Sequence, residues 1–142
     1  MILLDTNVLS EFMRPQPNPA VAAWLDAQSP PAVWVSAVSR AEIELGLALM
    51  PASQRQQRLR EAALAMFEED FAGRCLPFDA AAASHHARIV AHRTRRGRPI
   101  SVEDAQIAAI AVANGLVLAT RNTRDFEGID TLTVVDPWQS NG

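Results

Sequence analysis

Lysine and tyrosine are both missing from this chain of 142 residues, and cysteine occurs only once, as Cys75. Without lysine there is no P-loop phosphate cradle, no Schiff-base chemistry and no lysine-dependent phosphatase. All thirteen basic residues are therefore arginine. A single cysteine allows no intrachain disulfide and no cysteine-based zinc site, which fits a reducing compartment. No apolar run nears the roughly 18 residues of a membrane span, and Met1 leads straight into an apolar segment with no room for a signal peptide, so a cytoplasmic protein is expected. The net charge of −3 argues against loose nucleic-acid binding through an overall basic surface. Repeats, low-complexity stretches and long linkers are absent as well, and the length fits a single domain over residues 1–142.

What is present begins with a strand. Met1, Ile2, Leu3 and Leu4 are too uniformly apolar to alternate between wet and dry faces, as in a parallel sheet buried on both sides. The run delivers Asp5 to the strand's carboxyl end, where ligands collect in open parallel sheets. Residues 6–12 can form a short helix, broken near Pro15 and Pro17. Asn18 then caps a helix with Pro19 at its first position, and Val21, Trp24 and Leu25 form its apolar stripe. Residues 33–36 read as a second strand. Ser39 and Glu42 have the spacing of a capping box opening a helix to about Leu49, and an amphipathic helix follows over about residues 53–70. Residues 74–78 are a candidate third strand, where Pro77 suits a sheet edge. Asp79 caps a helix over residues 80–96 that Gly97 stops. Ser101 opens a helix over residues 105–114 that is apolar nearly all round and ends at Gly115. Residues 116–120 are the clearest strand, 121–130 a polar loop and 132–135 a candidate last strand. Strands alternating with helices imply an α/β sandwich with a mainly parallel central sheet of four to five strands flanked by helices.

Four acids fall at strand ends or first helical turns: Asp5 after the first strand, Glu42 after the second, Asp104 before the fourth and Asp125 in the loop beyond it. In a parallel sheet these positions lie along one rim. Two carboxylates about 5 Å apart repel by about 3 kcal/mol at an effective dielectric near 20, so such a cluster calls for cations. Oxygen-only ligation selects Mg²⁺ or Mn²⁺. Each acid also has a plainer reading. Asp5 can cap the helix behind it, Glu42 can be the return half of a capping box with Ser39, Asp104 can favour a helix N-terminus, with Glu103 as its nearest rival, and Asp125 can be a turn residue. Glu42 shares a helical face with Leu45 and Leu49 and is expected to point inward, while Glu44 is placed to pair with Arg40 in solvent. Ala108 and Ala111, on the face of Asp104, are expected to leave space for a ligand. The conjunction of all four acids favours a metal site. His85, His86 and His92 read as a solvated helix face. Arg93, Arg95, Arg96 and Arg98 read as cations complementing a helix C-terminus, with RNA or partner contact as the alternative. Trp24, Trp34 and Trp138 read as core or interface.

The run Leu4-Asp5-Thr6-Asn7, then Ser39-Arg40-Ala41-Glu42 with Gly46, then Arg98-Pro99-Ile100-Ser101 leading to Asp104, then Ala119-Thr120-Arg121-Asn122 with Asp125-Phe126, resembles the VapC/FitB-like PIN-domain ribonuclease toxins of type II toxin-antitoxin systems. The resemblance covers essentially the whole chain. It implies a Mg²⁺- or Mn²⁺-dependent endoribonuclease that leaves 5′-phosphate and 3′-hydroxyl ends. It also implies a homodimer, which can pair further into a dimer of dimers, and a small antitoxin whose N-terminal part binds DNA. Asp5, Glu42 and Asp104 match the family's three central acids. In the final motif both Asn122 and Asp125 occur; Asp125 is expected as the fourth ligand, with Thr6, Asn7, Ser39, Thr120 and Asn122 as supporting polar groups. An aspartyl-phosphate phosphatase would need a second Asp at position 7, which is Asn, and a lysine. A binding module would keep the fold with its acids purely structural, and a DNA-directed flap nuclease would carry extra helical elements that 142 residues do not accommodate.

Overall fold

The computed structural model describes residues 1–139. Five strands, β1 (Ile2–Leu4), β2 (Val33–Ser36), β3 (Cys75–Leu76), β4 (Val117–Ala119) and β5 (Val134–Val135), form one sheet in the order β3-β2-β1-β4-β5, every pair parallel. Six helices among the described residues supply the crossovers: α1 (Thr6–Phe12), α2 (Pro19–Asp26), α3 (Ala37–Leu49), α4 (Gln54–Ala65), α5 (Ala80–Arg95) and α6 (Val102–Ala113). The expected mainly parallel α/β sandwich is thus present, with the sheet parallel throughout. Because β1 is central, successive side chains enter opposite layers. Leu3 packs with α5 and α6, and Leu4 packs with α1, α3 and Phe67. Pro77 closes β3 after two residues, at the sheet edge where a missing N–H is tolerated.

Three local expectations change. Ser36, not Ser39, caps α3: its Oγ accepts the Ser39 N–H at 3.0 Å. Strand β2 runs into the helix without a loop, so the last strand residue is also the cap, and Ser39 falls inside the first turn. The buried face of α3 carries Ile43 and Leu47, whereas Leu45 and Leu49 are 60% and 76% exposed. Glu42 therefore lies on the flank of that face and does not point inward with them. Glu44 does pair with Arg40, at 3.0 Å on the solvent side. After α4 the chain widens into a π-type turn, Met66–Asp70, which buries Met66 and Phe67 instead of continuing one regular helix.

Helix α6 is the central column of the second layer. Residues 107–111 are all fully buried, and Ala108 and Ala111 contribute close packing against the sheet and α5 instead of room for a ligand. The expected polar loop 121–130 is pinned by its two apolar residues, Phe126 and Ile129, which enter the same core. Arg93 is also buried. Its Nε donates to the Arg98 carbonyl at 2.8 Å, and its Nη1 donates to the carbonyls of Asp125 and Glu127 at 3.0 and 3.3 Å. Of the arginines expected to complement the end of α5, this one instead ties the loop bearing Asp125 to the helix. Among the histidines, His92 is exposed, while His86 packs edge-on against Phe78 at 5.5 Å between ring centroids.

Candidate active site

Asp5 stands one residue past β1, at the centre of the sheet's carboxyl rim, and is only 4% exposed. Its backbone N–H continues the ladder to the Ala119 carbonyl at 2.9 Å. Both carboxylate oxygens are engaged. Oδ1 accepts the Thr6 N–H at 2.8 Å, so Asp5 does cap α1, and Oδ2 accepts the Thr120 hydroxyl at 2.7 Å and Asn7 Nδ2 at 3.4 Å. Asn7 reaches across to the neighbouring strand, with Nδ2 donating to Thr120 Oγ1 and Oδ1 accepting the Arg121 N–H, both at 3.2 Å. Thr120 Oγ1 in turn accepts the Asn122 N–H at 3.1 Å. These bonds fasten the ends of β1 and β4 together around one carboxylate.

Glu42 arrives from the first turns of α3. The Thr6 hydroxyl donates to its Oε1 at 2.9 Å and lies 2.8 Å from Ser39 Oγ. With its single proton committed to Glu42, Thr6 takes the Ser39 proton, so Ser39 holds Glu42 through Thr6. Asp104 is the third residue of α6, which Ser101 caps by accepting its N–H at 3.1 Å. The carboxylates of Asp5, Glu42 and Asp104 line one open cleft of about 520 Å³ together with Thr6, Asn7 and Asn122. Exposed Glu103 and Asp125 are not part of that lining. Asp125 lies on the 3-10 turn Thr123–Phe126, still close enough for its charge to act on Asp5 and Asp104.

Burial pushes the carboxyls of Asp5, Glu42 and Asp104 above the usual carboxylate range. For Asp5 the hydrogen bonds from Thr120 and Thr6 oppose the rise, and the charges of Glu42 and Asp125 add to it. For Glu42 the Thr6 hydrogen bond opposes burial, while Glu103 and Asp104 reinforce it. For Asp104 the charge of Asp5 follows burial, Ser101 opposes, and Asp125 and Glu103 add further. A carboxyl with a raised folded pKa stabilises the fold below its unfolded value and loses that contribution as pH rises through the folded one. Without metal, the Tm gap between Asp5→Asn and the parent is therefore expected to open in favour of the variant as pH climbs from about 4 to 7. The variant should melt higher than the parent at neutral pH and close to it at pH 4. A gap that is flat or closes with pH in thermal scans would contradict this electrostatic account.

Five further residues line the cleft, Ser10, Glu11, Arg14, Arg121 and Trp138, none of them among the expected site residues. Glu11 could have been found, since it lies four residues after Asn7 on the same face of α1. It is 5% exposed, accepts the Asn18 N–H at 2.8 Å and pairs with Arg14 at 3.0 Å, and these partners hold its carboxyl below the usual range. Trp138, expected only as core or interface, packs partly on the α1 and α3 layer and also reaches the cleft, an arrangement no local pattern announces.

The donors of this cleft are oxygen atoms from carboxylates, amides and hydroxyls, a set that suits a small hard cation. Among the described residues no three acids converge tightly enough to enclose an ion as they stand.

A parallel sheet with polar and acidic groups gathered on its carboxyl rim is the architecture of the PIN domain, whose family model matches residues 2–132, and the chain belongs to that family. Within the family it is similar to the VapC ribonuclease Y4jK of Sinorhizobium fredii, 41% identical over 98% of this chain and 99% of the relative. It is similar to the toxin FitB of Neisseria gonorrhoeae, 43% identical over 97% of this chain and 99% of the relative. Among solved structures, FitAB bound to an IR36 DNA fragment superposes with a TM-score of 0.91 at 41% identity, covering 100% of this chain and 99% of the matched one.

Proposed function

We propose that this chain is the toxin of a toxin-antitoxin pair, a Mg²⁺- or Mn²⁺-dependent endoribonuclease that hydrolyses RNA phosphodiester bonds in the cytoplasm and is held off by a small cognate antitoxin. The observation that carries the reading is the meeting of Asp5, Glu42 and Asp104 in one open cleft on the sheet rim. Relatives named as a ribonuclease and as a toxin support it.

Asp5, Glu42 and Asp104 would hold the metal, with Asn122 beside them and Asp125 adding charge from the adjoining turn. When bound, one or two such ions make water a better nucleophile and offset charge on the scissile phosphate and leaving oxygen. The protein's own part is to hold its ligands still. Thr6 N–H and Thr120 fix Asp5, Thr6 and Ser39 fix Glu42, and Asn7 ties both strand ends to the turn that carries Asn122. Held oxygens present the same geometry at each turnover.

The antitoxin's C-terminal segment would lie in the apolar groove of about 770 Å³ lined by Met13, Ile43, Leu47, Leu59 and Ala62, which continues to Thr6 and Glu42. An Arg or Lys from that segment would neutralise the carboxylates, Arg being favoured by its bidentate geometry. The antitoxin's N-terminal part would bind operator DNA, in keeping with the DNA-bound FitAB structure. Exposed Leu45, Leu49 and Leu64 offer apolar surface for a homodimer, which the antitoxin can join into a dimer of dimers.

Purified chain incubated with total RNA and Mg²⁺ should release fragments with discrete 5′-phosphate ends, and excess EDTA or the co-purified antitoxin should stop it. RNA left intact in Mg²⁺, or a stable antitoxin complex that cuts as fast as the free chain, would overturn respectively the activity or its control.

A further inference from the structure

Two cations line the acidic cleft, and they are held differently. Arg14 Nη1 is taken up by Glu11, at 3.2 and 3.0 Å from the two carboxylate oxygens. Among the described residues Arg121 forms no ion pair, and its guanidinium lies over the Trp138 ring, 5.1 Å from the centroid. Its backbone is fixed to the site, because it follows the fully buried Thr120 and donates its N–H to Asn7 Oδ1. Trp138 is fixed as well. The chain turns back after β5, Asp136 Oδ1 accepts the Trp138 N–H at 2.9 Å, Pro137 is buried, and the indole packs partly on the core. The Arg121 charge, which reaches Glu11 without forming an ion pair with it, is thus supported on an aromatic face in a cleft lined by four carboxylates.

A stacked guanidinium keeps its N–H groups in its own plane, free to bond a phosphate in bidentate fashion. The chain's net charge is −3 and four carboxylates line this cleft, so a phosphate entering it is drawn to the two arginines, of which Arg14 is already paired with Glu11. We infer that Arg121, positioned by Trp138, is the phosphate-binding residue of the cleft and takes a backbone phosphate of single-stranded RNA next to the bond to be cut. This rests on the ribonuclease reading above. Arg121 touches the substrate; Trp138 acts through Arg121 and is a positioning residue.

The test is binding of labelled, random-sequence single-stranded RNA by the chain carrying Asp104→Asn, across a KCl series with Mg²⁺ present. Adding Arg121→Gln should weaken binding about tenfold and flatten the slope of log affinity against log salt by about 0.7, the signature of one lost single-strand phosphate contact. Trp138→Ala should weaken binding about threefold, and Trp138→Phe, which keeps a ring, should restore most of it. Thermal melts confirm that each variant is folded. Arg121→Gln with unchanged affinity and slope overturns this inference alone. Cleavage that survives Asp104→Asn, or no salt-dependent binding with Arg121 intact, overturns the ribonuclease reading and this inference with it.

Discussion

Asp104→Asn and Asp5→Asn are each expected to lower metal-dependent RNA cleavage by about a thousandfold or more while leaving the chain folded. Each change removes one anionic oxygen donor but keeps the side chain's size. Asp5 is the more informative of the two because every contact it makes is resolved: Thr6 N–H on one oxygen, Thr120 and Asn7 on the other. An amide retains an acceptor for Thr6 and sheds a buried charge, which offsets the loss of the oxygen that accepts from Thr120 and Asn7, so the chain is expected to fold with a weaker ligand at this position. Controls come from the same turns. Glu103 and Asp125 are exposed and outside the cleft lining, and their charges reach the cleft carboxyls, Glu103 acting on Glu42 and Asp104 and Asp125 on Asp5 and Asp104, so Glu103→Gln and Asp125→Asn should each lower cleavage by no more than about tenfold. Cleavage assays at fixed Mg²⁺, read beside circular dichroism of each variant, check the series. Activity that survives both Asp5→Asn and Asp104→Asn, or that persists in excess EDTA, would sink the assignment.

Arg93→Met is expected to lower Tm by roughly 10 °C, about 3 kcal/mol, well beyond the loss from truncating a solvent-exposed arginine. The guanidinium is buried and bonded to three carbonyl oxygens, two of them in the loop that carries Asn122 and Asp125. Methionine fills much of the volume and supplies no donor, so the three carbonyls lose their partner away from water. Arg93→Lys should recover only part of the loss, since an ammonium cannot copy the fork that reaches Arg98, Asp125 and Glu127 together. Exposed Arg95, two residues on, gives the contrast, and Arg95→Met should stay within about 0.5 kcal/mol of the parent. Metal-dependent cleavage should fall with Arg93→Met as the Asn122 turn loosens. A melting curve that matches that of Arg95→Met would show that the loop holds itself and that Arg93 is not its tie.

The sequence by itself determined the strand and helix order, the parallel sheet, and the placing of Asp5 at a strand end and Asp104 in a first helical turn, whereas Glu42 falls in the second turn of its helix and not the first. These follow from local rules: short buried strands, side-chain caps, and proline and glycine stops. Ser101 and Asp79 cap the helices they were expected to cap, and Glu44 pairs with Arg40 four residues away. Tertiary structure alone decided the rest. Ser39 is an internal link to Thr6 because β2 has no loop before α3, a fact set by how the sheet places Ser36 and not by the spacing of Ser39 and Glu42. Arg93 is a clamp and Arg95 a surface charge, although the two stand in the same arginine run, because only one faces the returning loop. Arg121 and Trp138 meet at the cleft because β5 sends the chain back across the sheet rim, joining residues seventeen positions apart that no helical or strand period connects. Local pattern fixes where a side chain leaves its own element, and what it meets there depends on the packing of the others.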